Sequence, residues 1–136
     1  MFADPEQTMA EGITLAHRVS EDVDAWVVSQ LPACSWQDRQ ERSTSMDGDV
    51  QITQYVVVQV PSDQGEVEAA TGDYIIRGMV EVAEPGEVPT TADVLDAVEG
   101  AEHIRIMAVR DARGVVSGVD GVPVLRWASS LILTGR

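Results

Sequence analysis

Apolar positions in the first quarter of the chain recur at three- and four-residue steps. Leu15, Val19, Val23, Trp26 and Val27 form one stripe, with Glu21, Asp22 and Asp24 mostly off it. That spacing predicts an amphipathic helix over about 8–30. Asp4-Pro5 offers an N-cap followed by proline at the first helical position, and Pro32 ends the helix near Leu31.

After Pro32 the period changes. Residues 35–44 are polar and charged without a helical period, which predicts a half-exposed edge strand whose Arg39 and Arg42 block further pairing. Met46-Asp47-Gly48-Asp49 is a turn. From Val50 to Val60 the even positions are Val50, Ile52, Gln54, Val56, Val58 and Val60, a core face; Tyr55 and Val57 lie on a mixed opposite face. Tyr74 to Val82 repeats the pattern, with Tyr74, Ile76, Val80 and Val82 on one face. These two strands are expected to pair antiparallel across the polar connection 62–72. Thr90-Thr91-Ala92-Asp93 fits a capping box and opens a short helix that buries Val94, Leu95 and Val98 and ends at Gly100. His103 to Val109 is a strand. Asp111-Ala112-Arg113-Gly114 and Asp120-Gly121 are turns, and Leu125, Trp127, Leu131 and Leu133 alternate in a closing strand.

The expected fold is therefore α+β, a single domain over 1–136 with residues 1–10 a loose leading segment. A mostly antiparallel sheet of four to five strands packs against an N-terminal helix and a shorter second helix. The far sheet face still carries Tyr55, Val57, Ile75, Met79, Met107 and Val109, more apolar surface than water needs, which suggests subunit packing.

Charge sharpens this picture. Nine basic residues, all arginine, face 23 acidic ones for a net of −14. Such a chain cannot supply the basic stripe of a nucleic-acid binder, and anionic membranes repel it. No apolar run approaches the roughly 20 residues of a membrane span, and no basic-then-apolar segment opens the chain, so neither a span nor a secretory signal is expected. A single cysteine, Cys34, excludes an internal disulfide. His17 and His103 lack zinc-ligand spacing, Asp47-Gly48-Asp49 lacks the remaining ligands of a calcium loop, and no glycine-rich phosphate cradle exists. No catalytic residue, cofactor or metal is expected, and an enzyme is not expected.

The order of elements, with the closing run Arg126-Trp127-Ala128-Ser129-Ser130-Leu131-Ile132-Leu133-Thr134, resembles small tail-terminator (tail-completion) proteins of long-tailed bacteriophages. The second helix is short for that family. The resemblance implies a virion protein: a homo-hexameric ring that caps the tail tube, ends its growth and joins the head. Its partners would be itself, the tail tube protein and a head-completion or neck protein. Six copies at −14 put about −84 on one ring, so DNA would pass an acidic bore without binding. Arg39, Arg42, Arg110 and Arg113 are then candidates for salt-linked contacts, and Tyr55, Val57 and Met79 for apolar ones. A head–tail adaptor and a stand-alone acidic cytoplasmic interaction domain are the alternatives.

Overall fold

A computed structural model describes residues 10–113 and 130–136. It has six strands: β1 (Ala10–Ser20), β2 (Val23–Thr44), β3 (Val50–Pro61), β4 (Tyr74–Arg77), β5 (His103–Asp111) and β6 (Ser130–Gly135). A 3-10 turn, Ser62–Gln64, follows β3, and the one α-helix among the described residues, α1 (Thr91–Glu99), lies between β4 and β5. All pairings are antiparallel, and the sheet closes on itself in the order β1-β2-β3-β6-β5-β4. Two three-stranded meanders, β1β2β3 and β4β5β6, are thus joined along both edges.

The N-terminal helix expected over about 8–30 is not found among the described residues. Residues 10–20 and 23–44 are strands joined at Glu21-Asp22, with Ser20 opposite Val23. The helical spacing was coincidental, because this stretch also alternates. Ile13 and Leu15 point into the barrel, while Thr14 and Ala16 point outward beneath other chain. β-Branched Ile13, Thr14, Val19, Val23, Val27 and Val28 also suit a pleated surface better than a helix. Pro32 does not end the element. It sits at a bulge where Glu11 and Ile13 oppose Cys34 and Leu31, three residues apart on β2 and two on β1. A bulge is where a strand tolerates a residue without an N–H. The neighbouring Ala33 amide donates to the Gln64 side chain at 3.0 Å. The Asp4-Pro5 cap, the Asp120-Gly121 turn and the Leu125–Trp127 part of the closing strand lie outside the described residues.

The pairing of β3 with the Tyr74 strand is also overturned. β3 lies between β2 and β6, and β4 lies between β1 and β5. The connection after β3 crosses the barrel end instead of turning back, burying Val67 in the core cluster with Ala69 packed against it. β4 stops at Arg77 because Gly78 takes φ 100°, which a side chain disfavours. The Thr14 hydroxyl then accepts from the Val80 amide and donates to the Gly78 carbonyl, both at 2.8 Å. Ile75, expected on an outer contact face, is completely buried in the barrel interior. Ile76 is equally buried on the outside, where α1 supplies Val94 and Val98 over Ala16 and Trp26. The short second helix, capping box included, forms where its sequence placed it and buries Val94 and Val98, but Leu95, expected to be buried with them, lies off that stripe and is exposed.

Two side-chain clusters close the connection over the barrel end. The buried Asp73 carboxylate accepts from the Ala70 amide at 2.7 Å and the Arg18 amide at 3.1 Å, with His17 Nδ1 2.6 Å away. Arg113 grips Asp111 with Nε and Nη2, at 3.0 and 2.9 Å, and donates from Nη1 to the Val67 carbonyl at 2.8 Å. The Arg113 side-chain bonds, and after them its amide, pull the Asp111 carboxyl down to about 2. A carboxyl depressed in the folded state stabilises above its ordinary value of 3.8, and that contribution disappears as pH falls through about 2. Asp111→Asn should therefore be less stable than the parent near neutral pH, and the difference should shrink below pH 3.8 and close only as pH falls past about 2. Thermal midpoints of the two proteins across an acid series check this.

Candidate functional site: a projecting hairpin arm

β3 loses its β6 partner at Val56, which faces Gly135. β2 loses its β1 partner at Ser35, which faces Ala10. Beyond these points the two strands pair, among the described residues, only with each other, from Asp38 opposite Val56 to Thr44 opposite Val50. The result is a two-stranded ribbon, residues 38–55, reaching about 20 Å past the barrel at 3.3–3.4 Å per residue. It turns at its tip through Ser45, whose amide donates to the Asp49 carbonyl at 2.8 Å and whose carbonyl accepts from the Gly48 amide at 3.0 Å. Nearly every side chain on both faces of the ribbon is exposed.

The even positions of β3 that look like a continuous core face in sequence divide here. Val56, Val58 and Val60 fill the barrel, whereas Val50, Ile52 and Gln54, in the same phase, face water. Ile52 is 61% exposed and Met46, at the tip, is fully exposed. Opposite Val50 and Ile52 on the same face stand Thr44 and Arg42. The distal half of this face is therefore apolar with one cation. The other face carries Arg39 opposite Tyr55, and Gln37 opposite Val57.

A cleft of about 510 Å³ lies at the base of the arm, lined by Trp36, Arg39, Tyr55, Val56, His103 and Arg136 among others. Trp36 closes this end of the barrel. Its indole Nε1 is buried and unpartnered among the described residues, and the Arg77 guanidinium lies 5.4 Å from the ring centre. Arg77 is held by Glu11 at 2.8 Å and Glu102 at 3.3 Å, and these carboxylates, Glu11 foremost, raise its pKa further.

Four of the residues singled out in sequence, Arg39, Arg42, Tyr55 and Val57, are brought together on the arm and its base. The other three are not. Met79 is exposed just past β4, Arg110 is exposed on β5, and Arg113 is engaged by the chain's own Asp111 and Val67. Arg39 and Arg42 make no ion pair among the described residues, although the chain has an excess of acids; Arg39 donates only to the neighbouring Gln37.

At the opposite end of β2 lies a second cleft, of about 530 Å³, bounded by the β1–β2 turn, α1 and the 70–74 segment. Its walls include Val19, 55% exposed, and Leu95, 44% exposed, together with Glu21, Trp26 and Tyr74. Asp24 beside this cleft accepts from the Thr91 hydroxyl at 2.6 Å and amide at 2.7 Å, which together hold its carboxyl below the usual range. Trp26 Nε1 donates to the same hydroxyl at 3.0 Å, so the start of α1 is fixed against β2. The His17 ring at this end has carboxylates towards both nitrogens, Asp73 and, at 3.6 Å, Glu68. That geometry pins the connection to β1. Among the described residues no three His, Cys, Asp or Glu side chains are grouped to hold a metal, and no helix is long and apolar enough to cross a membrane.

Comparison with protein-family models, with curated proteins and with solved structures finds no match. The functional reading consequently rests on the geometry of the chain itself.

Proposed function

We propose that this protein is a structural assembly subunit whose arm, residues 38–55, joins copies of the chain into a higher-order particle. The observation that carries this reading is the ribbon itself. An isolated two-stranded hairpin is marginal in water, and this one keeps Met46, Val50 and Ile52 exposed, with no partner strand beside it among the described residues. Such a feature gains most of its order from a surface outside the chain.

Within that class, the sequence resemblance makes the particle a phage tail terminator: a ring that caps the tail tube, ends its growth and receives the head. The net charge of −14 per copy supports a bore through which DNA slides without adhering. The N-terminal helix that contributed to the resemblance is replaced by β1 and the start of β2, so the assembly reading stands on the arm and the terminator role on charge and on the closing segment. A head–tail adaptor would use the same arm at the other side of the junction.

Sedimentation over a wide concentration range tests assembly, and negative-stain microscopy with and without purified tail tubes tests the role. The expected result is a discrete oligomer that seats on tube ends. A monomer at millimolar concentration would overturn the assembly reading, and oligomers indifferent to tubes would overturn the terminator role.

A further inference from the structure

The two long edges of the hairpin arm differ in charge. Val50–Pro61 carries no charged side chain, whereas the arm's share of β2 carries Asp38, Arg39, Glu41 and Arg42. Charge on an exposed edge strand discourages pairing with another chain, and an uncharged edge invites it. We infer that the β3 edge of the arm, residues 50–54, pairs antiparallel with the same edge of a second copy. This rests on the assembly reading, not on the terminator role, and specifies where the contact is made.

Backbone geometry leaves this edge open. At the tip the Ser45 amide donates to the Asp49 carbonyl, and at the base Arg105 and Arg136 exchange both amide–carbonyl bonds. In an antiparallel ladder such bonded pairs alternate with non-bonded ones. Followed from either end, that alternation turns Gln51 and Thr53 towards β2, and Val50, Ile52 and Gln54 away from it. β6 occupies that outer side only as far as Val56, opposite Gly135. The N–H and C=O groups of Val50, Ile52 and Gln54 therefore face an edge with no strand on it among the described residues.

A second copy fits this edge in one symmetric register. Centring the two-fold on Ile52 would bring Asp49 to the place beside Tyr55 where Arg136 of the other copy, following Gly135 in line, already lies. Centring it on Val50 would set Gly48 of the turn opposite Ile52. Gln51 is left as the centre. Val50 then bonds to Ile52 of the other copy and Ile52 to its Val50, so four exposed aliphatic side chains meet on one face. The acids of the two arms stay apart. Asp49 falls opposite Thr53, with the exposed Arg136 next along the same edge, while Asp38 and Glu41 sit on β2, one strand away from the seam. The two ribbons become one four-stranded sheet with an apolar face, and it is the third strand that a lone hairpin lacks for stability of its own. The contact is isologous and closes on two copies, so copies beyond two are added through another surface.

Gln51→Cys tests the register, since the native Cys34 is buried. Gln51 is exposed, and across the two-fold it faces its own counterpart as a non-hydrogen-bonded pair. The Cα atoms of such a pair lie about 4.5 Å apart, within disulfide reach. Mild oxidation should therefore couple Gln51→Cys into covalent dimers in a single preparation. Arg42→Cys, opposite Ile52 but on β2, should stay uncoupled under the same conditions. No coupling of Gln51→Cys in a sample that sedimentation shows to be assembled, or equal coupling of Arg42→Cys, would overturn the seam and spare the assembly reading. Absence of assembly in the parent protein would instead remove both. A charge swap gives an independent check. Gln51→Lys and Gln51→Glu each oppose like charges across the two-fold, and each should associate about fivefold more weakly than the parent. Mixed in equal amounts, the two should recover that loss as opposite charges meet. A mixture no tighter than either variant alone would also overturn the seam.

Discussion

Replacing residues 41–53 with an Asn-Gly turn should leave the barrel folded and abolish its assembly. The physical case is that the arm contributes nothing to the core. Burial on β3 begins at Val56, and the interior is filled by Ile13, Leu15, Leu31, Trp36, Val58, Val60, Ile75, Ile104, Ile106, Leu131 and Leu133. Gln40 and Gln54 are directly opposite each other, so a two-residue turn of the favoured hairpin type can join them without shifting the register. The thermal midpoint should stay within a few degrees of the parent, roughly the change expected from about 1 kcal/mol or less. Association should fall by at least about a hundredfold, because the exposed apolar side chains that would anchor the contact, Met46, Val50 and Ile52, go with the segment. Sedimentation and circular dichroism on the same samples separate the two effects.

Gly135→Ala should be the most damaging single methyl that can be added to the described chain. Gly135 is the point where β6 meets both neighbours, opposite Val56 on one side and Ile106 on the other. A Cβ there would overlap the Arg105 carbonyl oxygen and come within 2.9 Å of its carbon and 3.2 Å of Ile104 Cδ1. The obstacle is backbone fixed by reciprocal bonds between Arg105 and Arg136, at 2.9 and 3.3 Å, so it cannot rotate aside. Opening this seam should cost about 3 kcal/mol, near 10 °C in midpoint for a domain of this size. Gly12→Ala is the control. Its Cβ would come within 2.6 Å of Met79 Cγ, but that side chain is half exposed and flexible, so the change should cost under about 1 kcal/mol. Thermal unfolding of both variants distinguishes a barrel closed at β5–β6 from an open sheet, in which Gly135 would be an unremarkable strand end.

The sequence was most legible where local chemistry is decisive. The Thr90–Asp93 capping box located α1, and the alternation from Val56 to Val60 and the start at His103 marked β3 and β5. It misled where two periods overlapped. Leu15, Val19, Val23 and Trp26 fit a helix by position, but the β-branched content and the alternation of buried Ile13 and Leu15 with Thr14 and Ala16 decide for strands. Barrel closure could not be read from pattern, because β4 is buried on both faces, Ile75 inward and Ile76 beneath α1, so no single amphipathic face announces it. The arm had a usable signal. Polar residues 38–44 and the polar half of 50–54 flank an Asp-Gly turn, and two facing polar strands around a turn mark a hairpin that leaves its sheet. The cleft beside the β1–β2 turn had none, since Val19, Leu95 and Glu21 converge only once β1, β2 and α1 are folded together.

Amide hydrogen exchange on the parent protein, at concentrations above and below its assembly midpoint, addresses the arm most directly. At high concentration the amides of residues 38–55 should become protected, and on dilution they should exchange rapidly while the barrel strands stay protected. An arm that exchanges rapidly in the assembled particle, or one that stays protected in a proven monomer, would contradict the account.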